Sequence, residues 1–142
     1  MKKIDIWDPL RKKDVPLTPE EDVRQWFIGI LNKTMKVPLH MMMSEVGFRL
    51  GDKKFRADII VYGRDASPVA VVECKRKETA LGREVLDQAI RYNMVLNVNY
   101  IFITNATNTY ICKKSTKNGL TQYVFTGEIP TYNQMMSVCS ED

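Results

Sequence analysis

The chain of 142 residues has the size of one domain with a single core. A hydrophobic fraction of 44% and a charged fraction of 27% are ordinary for a globular protein, and no apolar run is long enough to predict a membrane span. The start, MKKIDIWDPLRKKD, lacks the apolar core of a secretory signal, so we expect a cytoplasmic location and no membrane partner. A net charge of +4 is compatible with a polyanionic partner but does not identify one.

The cysteine and histidine content argues against a disulfide framework and against a zinc site. The three cysteines, Cys74, Cys112 and Cys139, lie far apart without CxxC spacing. The single histidine, His40, cannot build a metal site on its own and is expected to be structural or solvated.

The first third of the chain predicts a surface arm and then a helix. Residues 1–17 alternate charged with isolated apolar residues and contain two prolines, which indicates an arm lying on the surface. The segment LTPEEDVRQWFIGIL predicts a helix with Thr18 as its N-cap, Pro19 at the first helical position and Glu21 completing a capping box. The apolar stripe of this helix consists of Val23, Trp26, Phe27, Ile30 and Leu31.

The remaining segments predict strands around a second helix. KVPLHMMMSEVGFRL is an extended segment, and KFRADIIVY and PVAVVECK are strands joined by the turn GRDAS. LGREVLDQAIRYNMVLN is a helix, NYIFITN is a compact strand, and NTYICKK and LTQYVFTG are strands joined by an Asn-Gly turn. A short helix is expected in the tail, IPTYNQMMSVCSED. This order predicts an α/β or α+β domain with helices packed on a central sheet.

The two most apolar strands end in charged residues, which suggests a site. A hairpin turn centred on residues 63–68 fixes the register between them. The resulting pairs are Tyr62–Val69, Ile60–Val71, Asp58–Glu73 and Arg56–Lys75. Two facing carboxylates repel each other unless one is protonated or a cation lies between them. Because Mg²⁺ prefers oxygen ligands, Asp58 and Glu73 predict a magnesium site, and Lys75 beside it would assist a water and stabilise phosphate charge. The alternative is that all three are strand-end charges with local salt bridges.

Residues 56–75 resemble the core motif of the PD-(D/E)xK nuclease superfamily, which has the restriction-endonuclease-like fold. The ordered set TPEEDVRQWF, KKFRADIIVY, VAVVECKRKE, LDQAIRY and YIFITN is similar to the N-terminal nuclease domain of type I restriction enzyme R subunits. This resemblance covers a core of residues 18–110 within a single domain of residues 18–142. It implies a central mixed β-sheet flanked by helices.

The resemblance also implies roles for individual residues. Asp58 and Glu73 match the ligands of Mg²⁺ or Mn²⁺, and Lys75 matches the catalytic lysine. Gln88 and Tyr92 match a QxxxY motif, and their spacing places them one helical turn apart on one face.

Two features of the family are less clearly matched. The family often adds an acid from the first helix to the metal site, for which Glu20 is preferred here and Glu21 and Glu45 remain candidates. The family's proline before the metal-binding aspartate is Ala57 in this chain.

These features predict a Mg²⁺-dependent DNA nuclease domain, with endonuclease or exonuclease action left open and other restriction–modification subunits as candidate partners. Arg76, Lys77 and Arg91 are candidate DNA contacts or, alternatively, a solvated charged face. The chain has no GxxxxGK[ST] loop, so we expect a stand-alone domain, a fragment or a recruited relative that does not translocate DNA by itself. One rival is a non-catalytic DNA-binding or assembly module that keeps the fold. Another is a small interaction protein whose charged hairpin end is purely structural.

Overall fold

The structure is a computed structural model that describes residues 3–137. Its strands are β1 (Asp5–Asp8), β2 (Lys13–Pro16), β3 (Met42–Leu50), β4 (Lys53–Tyr62), β5 (Pro68–Cys74), β6 (Tyr100–Thr104), β7 (Thr109–Lys117) and β8 (Leu120–Thr126). Its helices are α1 (Pro19–Lys33), α2 (Arg83–Asn93) and α3 (Tyr132–Met136), with short 3₁₀ turns at Leu39–Met41 and Met94–Leu96. Within residues 3–137, each helix is too short or too polar to cross a lipid bilayer.

A six-stranded mixed sheet lies at the centre of the domain, as the sequence predicts. The strand order is β3-β4-β5-β6-β7-β8, and every neighbouring pair is antiparallel except β5 and β6. A parallel pair needs a crossover connection, which α2 supplies. Residues 69–72 and 100–104 of these two inner strands are all buried, because both faces of the sheet are covered there.

The helices divide the core into two layers, one on each face of the sheet. The layer under α1 includes Val23, Phe27, Leu31, Ile59, Val61 and Phe102. The layer under α2 includes Ile60, Val71, Leu86, Ala89, Ile101 and Ile103. Each large apolar side chain buried here contributes roughly 1.5–3 kcal/mol to folding, so these layers hold α1 and α2 at fixed positions over the sheet.

Helix α1 begins where the sequence predicts but faces the sheet differently. The hydroxyl of Thr18 accepts a 3.1 Å hydrogen bond from the amide of Glu21, which confirms the N-cap. The buried face of α1 includes Arg24 and Ile28, whereas Trp26, which was expected in the apolar stripe, is 42% exposed. Compared with the prediction, the helix is therefore rotated about its axis so that Arg24 faces the sheet.

The N-terminal segment differs from the predicted surface arm. Within it, β1 and β2 form an antiparallel hairpin in which Asp8 and Val15 are buried. The carboxylate of Asp8 accepts a 2.9 Å hydrogen bond from the amide of Leu10 and contacts the guanidinium of Arg11. Strands of four residues are too short for hydrophobic alternation to reveal them, which is why the sequence pattern missed this hairpin.

The C-terminal third follows the predicted order. The Asn-Gly turn joins β7 to β8 with φ of 53° at Asn118 and 78° at Gly119, which are the positive values that a two-residue hairpin turn requires. Helix α3 is the short helix expected in the tail. Cys139, with the rest of residues 138–142, lies outside the described residues.

Candidate active site

The β4–β5 hairpin brings the predicted site residues to one end of the sheet. Residues 59–61 pair with residues 70–72 in the predicted register, which is thereby confirmed over this stretch. Next to the turn, Tyr62 pairs with Pro68 rather than with Val69, because an irregularity follows Val61. The ladder between the two strands ends before the charged residues, so Asp58–Glu73 and Arg56–Lys75 are not regular cross-strand pairs.

Asp58 and Glu73 are held by separate hydrogen bonds beyond the end of this ladder. Oδ2 of Asp58 accepts a 2.7 Å hydrogen bond from the amide of Cys74. Oε1 of Glu73 accepts a 2.8 Å hydrogen bond from Nδ2 of Asn93, and Oε2 lies 2.8 Å from Nζ of Lys75. All three charged side chains line one cavity, although not by the register that predicted their convergence.

The regular pairing of β3 with β4 omits Glu45 and Asp58, and Asp58 lies between the two layers of the core. Opposite it, Glu45 has φ of 55°, an uncommon value for a residue with a side chain. Ile59, which follows Asp58, packs in the layer under α1, whereas Ala57, which precedes it, packs in the layer under α2. Asp58 consequently lines the cavities on both sides of the hairpin.

One of these cavities, of about 400 Å³, contains all five residues predicted to be catalytic. They are Asp58, Glu73, Lys75, Gln88 and Tyr92. Arg56, Cys74, Val85 and Ala89 complete its lining. The cavity is thus formed by the ends of β4 and β5 and by one face of α2, which carries Gln88 and Tyr92 as their spacing predicts.

The environment of Asp58 disfavours its charged form. Burial raises the pKa of Asp58 above its ordinary value, and the negative charge of Glu73 raises it further. The Cys74 amide, Arg24 and Lys75 act in the opposite direction and do not cancel the rise in pKa. A cation bound between the two carboxylates would relieve both the burial cost and the repulsion.

The donor set fits a magnesium ion. Two carboxylates with bound waters are a usual site for Mg²⁺, which rarely has a cage built entirely from protein ligands. Among residues 3–137, however, no three His, Cys, Asp or Glu side chains are grouped closely enough to hold a metal ion. Asp58 and Glu73 are the two carboxylates that line this cavity.

The first-helix acid is not brought into the cavity that contains Glu73. Glu20 is half exposed and lines the second cavity, of about 580 Å³, together with Asp58. Glu21 and Glu45 line the same second cavity and are bonded to arginines. The structure thus places all three candidates on the far side of Asp58.

Arg24, which no sequence motif marked as a site residue, connects these acids to Asp58. Its side chain is buried and donates to Oε1 of Glu21 at 2.7 Å and to Oε1 of Glu45 at 2.5 Å. Its Nη2 also lies 3.6 Å from Oδ1 of Asp58. The sequence contained a signal for these contacts. Arg24 shares a helix face with Phe27 and Leu31, and an arginine buried on that face needs acidic partners.

Asn93 is a second residue that the sequence analysis missed. It is buried on α2, where its Nδ2 donates both to Glu73 and to the carbonyl oxygen of Ala89 at 2.7 Å. The sequence contained a signal for this residue as well. Asn93 lies four residues after Ala89, which places its amide on the buried face of the predicted helix. Tyr92 also has a contact that the motif did not predict, since its hydroxyl accepts a 3.0 Å hydrogen bond from the amide of Arg56.

The candidate DNA-contacting cations differ in their surroundings. Nε of Arg76 lies 3.9 Å from Glu20, and Nζ of Lys77 lies 3.0 Å from Asp22, so both are near acids in the first turn of α1. Arg91 is exposed on α2. Local acids therefore partly neutralise the predicted phosphate track at Arg76 and Lys77.

The cysteine beside the site is not suited to nucleophilic chemistry. Cys74 is buried on the opposite side of β5 from Glu73. Burial raises the pKa of the Cys74 thiol well above its usual value, so the thiol stays protonated at neutral pH. Burial likewise raises the pKa of the Cys112 thiol to about 11.

Comparison with known proteins identifies a family and a similar solved structure. Residues 19–130 match the family described as type I restriction enzyme R protein N terminus (HSDR_N). The fold resembles a solved fragment assigned to an HsdR subunit of a type I restriction enzyme from Vibrio vulnificus YJ016, with a TM-score of 0.56 and 20% sequence identity. That alignment covers 84% of this chain and 24% of the solved chain, so this chain spans about a quarter of that structure's length. No curated protein matches the chain.

Proposed function

This chain belongs to the family of type I restriction enzyme R protein N termini, and from that membership we propose that it is a Mg²⁺-dependent DNA nuclease domain. We assign it to the PD-(D/E)xK superfamily and to the restriction-endonuclease-like fold. The proposal places it in the cytoplasm, acting on DNA within a restriction–modification enzyme. The observation that carries the proposal is the single cavity that contains Asp58, Glu73 and Lys75.

Asp58 and Glu73 would hold the metal, either Mg²⁺ or Mn²⁺. A bound divalent ion supplies a more acidic water and neutralises charge that develops on the phosphate. The raised pKa of Asp58 supports this assignment, because the burial and repulsion that cause it are relieved by a cation. Glu20 lines the second cavity, on the other side of Asp58, so it would approach this metal only from that side.

Lys75 would act on the water that attacks phosphorus. Its ammonium group lies against Glu73, so it would lie beside the metal, where it would orient the water and stabilise the negative charge of the phosphate. Hydrolysis forms a new bond between this water's oxygen and phosphorus and breaks the bond to the leaving oxygen. The attacking water loses one proton, which balances the proton that the leaving oxygen gains. Gln88 and Tyr92 would shape the DNA-facing wall of the cavity, with Arg76, Lys77 and Arg91 near the phosphates.

One observation favours a second function, a non-catalytic DNA-binding or assembly module. The two carboxylates already have partners within the protein, since Glu73 is paired with Lys75 and Asp58 lies 3.6 Å from Arg24. In a domain that no longer binds a metal, these neighbouring cations would neutralise the two carboxylates. The two functions differ in whether divalent ions bind and whether DNA is cut.

The test is cleavage of supercoiled plasmid with Mg²⁺ or Mn²⁺ by the wild type and by Glu73→Gln. The loss of partners beyond the metal's own ligands costs about 10–100-fold in activity, so we expect at least this loss when Glu73 itself is changed. Glu128→Gln is the matched control, because Glu128 is exposed and lies outside the cavity. If the wild type never cuts DNA with either ion, the nuclease proposal fails and the non-catalytic module stands.

A further inference from the structure

The β3–β4 hairpin projects past the end of the sheet beside the candidate active site. Pairing between β3 and β4 continues to Leu50–Lys53, whereas the pairing of β4 with β5 ends at Ile59. Residues 53–58 therefore have a neighbouring strand on one side only. At about 3.4 Å per residue, this part of β4 is roughly 20 Å long. We call residues 47–56 the hairpin arm.

The aromatic face of the hairpin arm is fixed against α2. Phe48 and Phe55 are cross-strand partners whose rings stack with centroids 5.4 Å apart. The ring of Phe55 lies 5.3 Å from that of Tyr92, whose hydroxyl is bonded to the amide of Arg56. These contacts hold the arm in one orientation relative to the cavity.

The opposite face of the arm is basic and exposed. Side chains of cross-strand partners point to the same side of a ribbon, so the pairs Arg49–Lys54 and Gly47–Arg56 lie on the face away from the two phenylalanines. Arg56 is 68% exposed, contacts Glu45 and lines the cavity of Asp58 and Glu73. Arg49 and Lys54 have no carboxylate within 4.0 Å in the described part of the chain. A row of cations thus leads from the tip of the arm to the cavity.

We propose that the hairpin arm binds the phosphate backbone of duplex DNA through Arg49 and Lys54 and guides the duplex to the Asp58–Glu73 cavity. The inference rests on the proposed function in that it takes DNA as the substrate. Charge complementarity supports it, since uncompensated cations are the groups that phosphates attract, and a two-stranded ribbon has dimensions that fit beside or within a DNA groove. Single-stranded DNA fits less well, because its sites present aromatic rings for base stacking and these rings face α2 here.

The test is binding of a labelled duplex of about 30 base pairs, followed by fluorescence anisotropy in EDTA between about 50 and 200 mM salt. We expect Arg49→Ala/Lys54→Ala to weaken binding about tenfold and to reduce the slope of log affinity against log salt by about 2. Arg49→Lys keeps the charge and is expected to keep the slope. The matched control is Lys33→Ala/Lys117→Ala, which removes the same charge from exposed residues at the far ends of α1 and β7.

Three results would overturn the inference. The first is a wild type that does not bind duplex at about 50 mM salt. The second is a double arm variant whose slope equals that of the control pair, and the third is tighter binding of single strands than of duplex. Plasmid cleavage separates this inference from the proposed function. If the arm variant weakens binding but no protein cuts plasmid, the arm inference stands and the nuclease proposal fails. If the wild type cuts plasmid but the arm variant binds DNA normally, the nuclease proposal stands and the arm inference fails.

Discussion

The amide of Cys74 donates a 2.7 Å hydrogen bond to Oδ2 of Asp58, which ties the carboxylate of β4 to the end of β5. This bond orients one carboxylate of the proposed metal site while the burial of Asp58 disfavours its charge. The site is therefore held at a cost in folding free energy, as is common where function needs an unfavourable charge.

Asp58→Asn is expected to raise the melting temperature of the metal-free protein. The amide oxygen of asparagine can still accept the Cys74 hydrogen bond, while the half-buried negative charge and its repulsion by Glu73 are removed. Thermal unfolding in EDTA measures the change. Asp87→Asn, at an exposed position on α2, is expected to have little effect, and a lower melting temperature for Asp58→Asn would contradict the account.

Asn93→Ala is expected to destabilise the protein by about 1–3 kcal/mol, because Glu73 and the Ala89 carbonyl lose a buried donor. It is also expected to weaken divalent-ion binding, since Glu73 loses the group that orients it. Urea unfolding and calorimetric titration with Mn²⁺ measure the two effects. An unchanged Mn²⁺ affinity would show that Asn93 stabilises the fold without orienting the site.

Arg24→Met is expected to destabilise the protein by about 1–3 kcal/mol, because Glu21 and Glu45 lose their buried donor and keep Arg11 and Arg56 as cationic partners. The comparison is Lys77→Ala, which breaks the exposed pair with Asp22 and should cost less than about 1 kcal/mol. Denaturant unfolding of both variants tests this difference. Equal losses in the two variants would mean that Arg24 is not the centre of the acidic cluster.

The N-terminal hairpin gives a pH dependence with a definite sign. Burial alone would raise the pKa of Asp8, but the hydrogen bonds from Arg11 and the Leu10 amide outweigh it and the pKa is lowered. A carboxyl group with a lowered pKa stabilises the folded state above its unfolded pKa, and this stabilisation is lost as the pH falls through the folded pKa. Asp8→Asn should therefore reduce stability at neutral pH and flatten its decline in acid, whereas Asp5→Asn, at an exposed position, should do neither.

The sequence predicted the central elements of the site because their signals are local. The hairpin turn at residues 63–68 fixed the register of residues 59–61 with 70–72, and helical spacing placed Gln88 and Tyr92 on one face. The predicted pairing of Asp58 with Glu73 extended the same register beyond residue 59, where the ladder between β4 and β5 ends. A positive φ at Glu45 interrupts the regular pairing of β3 with β4 there, and no local pattern predicts it.

The residues that sequence reasoning missed depend on tertiary contacts. Arg24 and Asn93 are polar residues on buried helix faces, and their partners lie far away in the chain. The register of a helix against a sheet decides which polar residue it buries, so periodicity alone located the helices but not these two contacts. The same reason explains why Trp26 is exposed on α1.

The central claim is that Asp58 and Glu73 hold one divalent ion together, and calorimetric titration of the wild type with Mn²⁺ tests it most directly. We expect one site per chain, lost in both Asp58→Asn and Glu73→Gln and retained in Glu128→Gln. Binding that survives both substitutions, or a wild type that binds no Mn²⁺, would contradict the claim.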